Sequence, residues 1–160
     1  MADRERRRRS PVKATKPKSQ SRSRSRSPIQ RVQIKAVDRE KTCPLLLRVF
    51  WTDGRHHRPE EFFRTVPSNE LQIYTWKDAT LKELMTLIKE VNPDARKKGT
   101  VFDFATVFPN PRQPGFLLKE LGTVTSGRKT PSDTITLESK KFQIGDYIDV
   151  AVQYPRPIRR

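Results

Sequence analysis

The stretch "NELQIYTWKDATLKELMTLIKEVNP" (residues 69–93) contains the change from strand to helix periodicity on which the fold prediction rests. In its first half, residues 71–76 alternate between two faces, and this period of two is typical of a strand. In its second half, apolar residues recur at helical spacing. The predicted apolar face of that helix consists of Leu81, Leu84, Met85, Ile88 and Val91.

Local signals mark both ends of this helix. Either Asp78 or Thr80 can cap its start, and Thr80 with Glu83 has the spacing of a capping box, in which each side chain satisfies a free backbone N–H. Pro93 bounds the other end, where residues 94–98 can add one more turn.

Strand signals precede and follow the helix. The apolar run Cys43–Trp51, followed by the turn Asp53-Gly54, predicts a first strand that forms a hairpin with residues 69–76 through a long connection. Further strands are predicted at residues 100–108, 116–124 and 141–152, with a short extended piece at residues 134–137. Gly145-Asp146 predicts a turn or bulge inside the last of these strands.

The predicted order β-β-α-β-β-β indicates an α+β fold of the ubiquitin-like β-grasp type, with one helix packed on a mixed sheet. The apolar stripe of the helix and one apolar face of the sheet suffice for a single core. A ferredoxin-like fold would need a second helix, for which residues 138–145 are the remaining candidate.

The charge distribution divides the chain into three parts. Residues 1–37 hold 13 basic and two acidic residues, a net charge of +11. Residues 38–154, the predicted ubiquitin-like domain, hold 18 basic and 16 acidic residues and are nearly neutral. Residues 155–160 form a short basic C-terminal tail. The domain itself therefore lacks the strongly basic composition of a nucleic-acid-binding domain.

The N-terminal tail, residues 1–37, is predicted to be disordered. Its apolar residues are few, its like charges repel, and the repeat "SRSRSRSP" (residues 21–28) cannot build a core. Phosphorylation of its serines would reverse the local charge. The candidate serines are Ser10, Ser21, Ser23, Ser25 and Ser27.

The single cysteine and the tail bear on cellular location. Cys43 has no second cysteine with which to form a disulfide within the chain, which favours a reducing compartment. No apolar segment follows the arginines as in a secretory signal, and no stretch is long enough to span a membrane. The basic run Arg4–Arg9 can be read by nuclear import receptors. We expect a nuclear protein, with the cytoplasm as a second location.

No group of residues predicts catalysis, and neither a cofactor, a metal ion nor a small-molecule substrate is expected. Residues 122–130, "GTVTSGRKT", nearly match a phosphate-binding loop, but the inserted Arg128 shifts the lysine and no helix is predicted to follow. Neighbouring histidines in an extended loop point apart, so His56 and His57 are not expected to bind one metal ion. A nucleophilic pair of Cys43 with a histidine would lack an orienting third group.

The remaining polar and aromatic residues offer a partner-binding hypothesis beside a structural one. "GRHHR" (residues 54–58) is either a polar loop or a protein-contact loop rich in directional donors. Trp51, Tyr74 and Trp76 are expected to pack in the core or on the sheet, with an exposed anchor patch as the alternative. Too few basic residues surround them for an RNA-stacking platform. The predicted partner-binding residues are Arg55, His56, His57, Tyr74 and Trp76.

Several blocks of the chain, in this order, resemble the Sin3-associated 18-kDa polypeptide family: "DREKTCPLLLRVF", "GRHHR", "ELQIYTW", "DATLKEL", "DARKKGT", "SGRK" and "KFQIGDYIDVAV". The resemblance spans roughly residues 38–153, and the Arg-Ser repeat lies outside it. It implies a ubiquitin-like fold and a nuclear, non-catalytic subunit of the Sin3 histone deacetylase corepressor. It also implies a place in the apoptosis-and-splicing-associated complex, beside acinus or pinin and a serine-rich RNA-binding protein.

The sequence thus predicts an adaptor that promotes transcriptional repression and has a link to mRNA splicing. Its domain would hold a partner segment, either as an added strand at a sheet edge or in a groove between helix and sheet. The alternative is an RNA-binding splicing accessory protein that acts through residues 4–35, whose phosphate contacts would be non-specific and sensitive to salt.

Overall fold

The computed structural model describes residues 37–155, so the predictions for the two tails lie outside the described residues, apart from Val37 and Pro155. The described part contains five strands and two α-helices: β1 (Leu45–Asp53), α1 (Pro59–Arg64), β2 (Glu70–Thr75), α2 (Leu81–Val91), β3 (Val101–Pro109), β4 (Phe116–Thr125) and β5 (Tyr147–Gln153). Three single 3₁₀ turns lie at Pro93–Arg96, Pro131–Thr134 and Glu138–Lys140.

The strands form one mixed sheet in the order β2-β1-β5-β3-β4. β1 pairs antiparallel with β2 and parallel with β5, while β3 pairs antiparallel with both β5 and β4. One helix, α2, packs against one face of this sheet. This is the ubiquitin-like β-grasp arrangement, and the predicted fold class is confirmed.

α2 begins and ends close to the predicted limits. The Thr80 hydroxyl caps the start by accepting the backbone N–H of Glu83 at 3.2 Å. Four of the five residues of the predicted apolar face are buried: Leu81, Leu84, Met85 and Ile88. Val91 is 54 % exposed because the helix ends at this residue, beyond the part that covers the sheet.

The main core lies between α2 and the sheet and receives side chains from all five strands. Fully burying one Leu, Ile or Phe side chain contributes roughly 1.5–3 kcal/mol, so this layer dominates the stability of the domain. Its largest wholly buried side chains include Leu47, Leu81, Leu84, Ile88, Phe102, Phe104 and Ile148.

The opposite sheet face, here called the open face, is partly covered by α1, a helix that the sequence did not predict. Phe62 of α1 packs edge-on against Phe50 with ring centroids 5.4 Å apart and stacks on Tyr147 at 5.7 Å. α1 has six residues, too few to show a helical period, and Pro59 at its first turn is its clearest signal.

Two predictions for the region before β5 are wrong. The last strand begins at Tyr147 rather than at Lys141, because residues 141–146 turn and Gly145 adopts a φ of 101°. Ile144, predicted inside that strand, is therefore exposed. The predicted extended piece at residues 134–137 is reduced to one bridge between Thr136 and Thr80.

The ferredoxin-like alternative is also wrong. Residues 138–145 supply only the 3₁₀ turn Glu138–Lys140, which is too short to pack as a second helix.

The turn or bulge predicted at Gly145-Asp146 is a turn that precedes β5. The sheet has its register shift between β3 and β4, at Phe104/Ala105.

Candidate partner-binding site

The five predicted partner-binding residues do not form one site. Tyr74 pairs with Leu46 near the start of β1, whereas Arg55 follows the end of β1 at Asp53. The seven residue-to-residue steps from Leu46 to Asp53 span about 23 Å at ~3.3 Å per step. The structure therefore separates Arg55, and the two histidines after it, from the two aromatic residues.

His56 and His57 converge on one buried carboxylate, which corrects the expectation that they point apart. The Nδ1 atom of His56 lies 2.7 Å from Oδ2 of Asp149, and Nδ1 of His57 lies 2.6 Å from Oδ1. The backbone N–H of His57 donates to the same carboxylate at 3.1 Å. Asp149 is completely buried, and a buried carboxylate needs hydrogen-bond donors on both oxygens, which draws both rings inward.

His56 lies between two acidic groups. Its Nε2 atom is buried without a hydrogen bond and lies 3.5 Å from Oδ2 of Asp103. Burial of the ring opposes its charged form, but the hydrogen bond and charge of Asp149, together with Asp103, outweigh burial and raise the pKa of His56. Protonated His56 can direct one N–H to each carboxylate.

The histidine cluster, defined as His56, His57 and Asp149, fixes the connection between β1 and β2 on the open face. The ring of His57 lies edge-on to Phe62, with centroids 5.9 Å apart. The cluster thus positions α1 and its small aromatic core. The rings of both histidines face the sheet, whereas Arg55 is one of the exposed residues of this loop.

Arg55 lies beside the outer surface of α1. It shares a shallow surface with Arg58, Glu60, Glu61 and Arg64. Within residues 37–155, no carboxylate lies within 4.0 Å of the Arg55 guanidinium. Arg55 therefore has the exposure that a partner-contact residue needs.

Tyr74 is 72 % exposed on the open face, so the expectation that it packs in the core or on the sheet is wrong. Its cross-strand neighbour Leu46 is 41 % exposed, and the two side chains form an apolar patch, here called the Tyr74–Leu46 patch. Next to it, Arg48 forms a bidentate pair with Glu70 at 2.6 and 2.8 Å, and this guanidinium lowers the pKa of Glu70.

Trp76 instead has a structural role, in agreement with the packing expectation. Its indole N–H donates to the carbonyl of Thr42 at 2.7 Å, and the Arg39 guanidinium lies 5.2 Å from its ring centroid. Arg39 also forms hydrogen bonds with Asp78 and Glu83 at the start of α2. Trp76 thereby ties the chain before β1 to the helix. Trp51 is half-buried against the main core.

The free backbone of β2 adds a feature that the sequence did not locate. The N–H of Trp51 donates to the carbonyl of Asn69, so the pairs that exchange hydrogen bonds with β1 include Leu71 and Ile73. The N–H and C=O groups of Gln72 and Tyr74 consequently point away from β1. β2 is an edge strand, and none of these four groups has a backbone partner within residues 37–155.

The three chemical candidates weighed from the sequence can be located in the described part of the chain. No group of three or more His, Cys, Asp or Glu residues there could hold a metal ion. In the predicted near match to a phosphate-binding loop, residues 122–125 belong to β4 and a 3₁₀ turn follows at Pro131–Thr134, so no α-helix N-terminus faces the loop. Cys43 is exposed, while both histidine rings contact Asp149.

Asp149 and Arg39 are the structurally important residues that sequence reasoning missed. Asp149 is a lone acid within the apolar run of β5, and this position is a signal that could have been used, since a buried acid requires donors. Arg39 gives no comparable signal, because its partners lie 39 and 44 residues further along the chain.

Among residues 37–155, no helix has the length and apolar character needed to cross a membrane.

Comparison with known proteins places this fold and these residues in a family. The family model described as Sin3 associated polypeptide p18 (SAP18) matches residues 36–152. A human relative named histone deacetylase complex subunit SAP18 is 62 % identical over 129 residues, which cover 79 % of this chain and 84 % of that protein. Relatives of the same name in Drosophila melanogaster and Arabidopsis thaliana are 54 % and 48 % identical, covering 79 % and 76 % of this chain and 85 % and 82 % of their own lengths.

Among solved structures, the C-terminal ubiquitin-like domain of mouse tubulin-specific chaperone e matches with a TM-score of 0.36 and 14 % identity, over 75 % of this chain and 95 % of that domain. The family match and the relatives each extend over most of the chain. The chain therefore belongs to the Sin3 associated polypeptide p18 (SAP18) family.

Proposed function

We propose that this chain is a non-catalytic adaptor subunit of a nuclear histone deacetylase complex and contributes to transcriptional repression. The observation that carries the proposal is the high identity to relatives that bear the name histone deacetylase complex subunit. The exposed recognition features on the described domain are consistent with a binding role. A Sin3-type scaffold is the partner that the family resemblance suggests, and we propose that the contact is direct.

The β2 edge, together with the Tyr74–Leu46 patch, is the surface that we assign to this partner. A partner segment can add a strand to β2 by pairing with the outward backbone groups of Gln72 and Tyr74. Side chains of the added strand would alternate, so every second one would lie on the open face next to Tyr74. Backbone pairing would supply affinity, and the apolar patch would select the partner's side chains.

The other edge of the sheet is less accessible to a new strand. The hydroxyl of Thr130 donates to the carbonyl of Thr123 on β4 at 3.4 Å. A Cβ placed on Gly122 would lie 3.2–3.3 Å from carbon atoms of Ser132 and Ile135, so this segment lies directly against β4. β2 is therefore the better site for strand addition.

The five predicted residues divide by role under this proposal. Tyr74 and Arg55 are the exposed contact residues, at separate places on the domain. His56 and His57 hold the loop of Arg55 through Asp149, and Trp76 holds the chain next to Tyr74 through the carbonyl of Thr42.

A second assembly, an acinus- or pinin-containing complex linked to mRNA splicing, belongs to the proposal through the family resemblance. The net charge of +11 in residues 1–37 favours an added, non-specific contact of the tail with RNA. Phosphorylation of the tail serines would weaken that contact.

The test is affinity purification of the full-length chain beside a version lacking residues 1–37, each with and without nuclease, followed by mass spectrometry. The adaptor proposal predicts that deacetylase subunits stay with the shortened version after nuclease treatment. Their loss with the tail, or with nuclease, would transfer the association to the Arg-Ser segment and nucleic acid, and would overturn the proposal.

A further inference from the structure

A groove of about 520 Å³ lies on the far side of the sheet from β2, between the β3–β4 hairpin and the turn before β5. Its floor is apolar and includes Phe108, Pro111 and Phe142. Phe142 is buried and belongs to the main core, so the floor is anchored to the rigid part of the domain.

Three lysines form the rim of this groove: Lys119 on β4, with Lys140 and Lys141 on the turn. Across residues 37–155, no carboxylate lies within 4.0 Å of any of these three ammonium groups. Asp146 also lines the groove, and its carboxylate accepts the backbone N–H of Gln143 at 3.1 Å. The groove thus combines an apolar floor with an excess of positive charge.

The backbone holds this rim in an uncommon conformation. Lys141 has a φ of 62°, the left-handed region that non-glycine residues rarely adopt, and it is the one such residue among those described. This bend lets Phe142 enter the core, where its N–H donates to the carbonyl of Leu137 at 3.1 Å, while Lys141 stays exposed at the rim. Such a conformation persists where the surroundings impose it.

We infer that this groove, here called the lysine groove, binds an acidic peptide segment of a partner protein, with apolar side chains on the floor and carboxylates at the rim. Charge complementarity argues for this occupant. The chain's own N-terminal tail has the wrong sign, at +11. Nucleic acid fits less well, because stacking of successive bases needs several exposed aromatic faces, whereas Phe108 is the one partly exposed ring among the described residues that line the groove and Phe142 is only 3 % exposed.

The lysine groove is independent of the β2 edge. In the sheet order, β2 and β3 are separated by β1 and β5, which places them about 14 Å apart at ~4.8 Å per strand. Two partner segments can therefore bind at the same time, which is what an adaptor requires.

The test is an NMR titration of the ¹⁵N-labelled full-length chain with a synthetic nine-residue peptide that combines glutamates with one phenylalanine and one leucine. We expect the amide signals of Phe108, Lys119 and Phe142 to shift. A second peptide, with serine in place of phenylalanine and leucine, tests the apolar floor and should leave these signals unshifted. Following the groove signals separately excludes the contribution of the basic tail.

Matched charge reversals provide the specificity control. The triple variant Lys119→Glu/Lys140→Glu/Lys141→Glu should weaken binding at the groove signals by about tenfold or more. Lys82→Glu/Lys98→Glu/Lys129→Glu makes the same change of net charge on exposed residues outside the groove and should leave affinity within about twofold.

Three results would overturn the inference: shifts at other residues only, an equal loss of affinity in both triple variants, or tighter binding of a single-stranded RNA to the same signals. If the groove triple variant does not fold, the signal shifts of the unmodified chain with the two peptides still decide whether the acidic peptide binds the lysine groove. Loss of this site would leave the proposal for the β2 edge untouched, since the two lie on separate parts of the sheet.

Discussion

His57 and Asp149 are 92 residues apart in the chain, yet Nδ1 of the histidine lies 2.6 Å from a carboxylate oxygen that is wholly buried. The His57 tautomer that fits this contact is the one with its proton on Nδ1, because an ionised carboxylate only accepts hydrogen bonds. Together with His56, the pair fastens the β1–β2 connection to the centre of the sheet. The loop that carries the exposed Arg55 is thereby held by a buried contact.

Replacement of His56 should reveal a pH-dependent part of the stability. The folded-state pKa of His56 is raised above its ordinary value of 6.5, so its contribution to stability is fully present below about pH 6.5 and is lost as pH rises through the folded-state pKa. Urea unfolding of the unmodified chain and of His56→Gln, between pH 5.5 and 8.5, measures this. The difference in free energy of unfolding should be largest at pH 5.5 and shrink toward pH 8.5. A difference that grows with pH would contradict the raised pKa.

Asp149→Asn should destabilise the domain far more than Asp103→Asn. The asparagine side chain cannot accept hydrogen bonds on both of its terminal atoms, and one of its own N–H groups would face an imidazole N–H. We therefore expect the free energy of unfolding to fall by about 3 kcal/mol. Asp103 is partly exposed and lies 3.5 Å from His56, so its replacement should cost less than about 1 kcal/mol. Thermal unfolding of the two variants provides the comparison, and equal losses would argue against a special role of the buried carboxylate.

Arg39→Ala should loosen the chain before β1. Arg39 donates to Glu83 at 3.0 and 3.2 Å and to Asp78 at 3.1 Å, and this guanidinium lowers the pKa of Glu83. Since Arg39 is partly exposed, the expected loss is about 1 kcal/mol, accompanied by a change in Trp76 fluorescence. Lys41→Ala is the matched control. It removes an exposed ion pair in which Nζ of Lys41 lies 3.4 Å from a carboxylate oxygen of Asp38, and no measurable change is expected. An unchanged fluorescence emission spectrum in Arg39→Ala would contradict a contact between Arg39 and Trp76.

The parts of the fold that were predictable are those encoded by local periodicity. α2 follows from its apolar spacing and from Thr80, and β1 and β2 follow from runs of β-forming residues. α1 was missed because its six residues are too few to establish a period, and its docking depends on Phe62 reaching the sheet.

The candidate site was predictable only residue by residue. The loop residues and Tyr74 were named as candidates from the sequence, but their separation along β1 is set by strand pairing. Tyr74 is exposed because its side chain lies on the open face, away from the Phe50 region that α1 covers, whereas its strand neighbour Ile73 faces the core. The edge position of β2 depends on the insertion of β5 between β1 and β3. Such long-range order leaves no trace in a local pattern.

The most direct test of the central claim is the replacement of Gln72 at the β2 edge. Gln72→Pro removes an outward N–H that makes no bond to β1 and places a proline ring at the edge, which edge strands tolerate. Gln72→Thr changes the side chain but keeps the N–H, and it is the matched control. Each full-length variant is purified from nuclear extract with nuclease, and deacetylase subunits are quantified by mass spectrometry. We predict that Gln72→Thr retains these subunits and that a folded Gln72→Pro loses them by about tenfold or more. Retention by Gln72→Pro at the level of Gln72→Thr would contradict the assignment of partner binding to this edge.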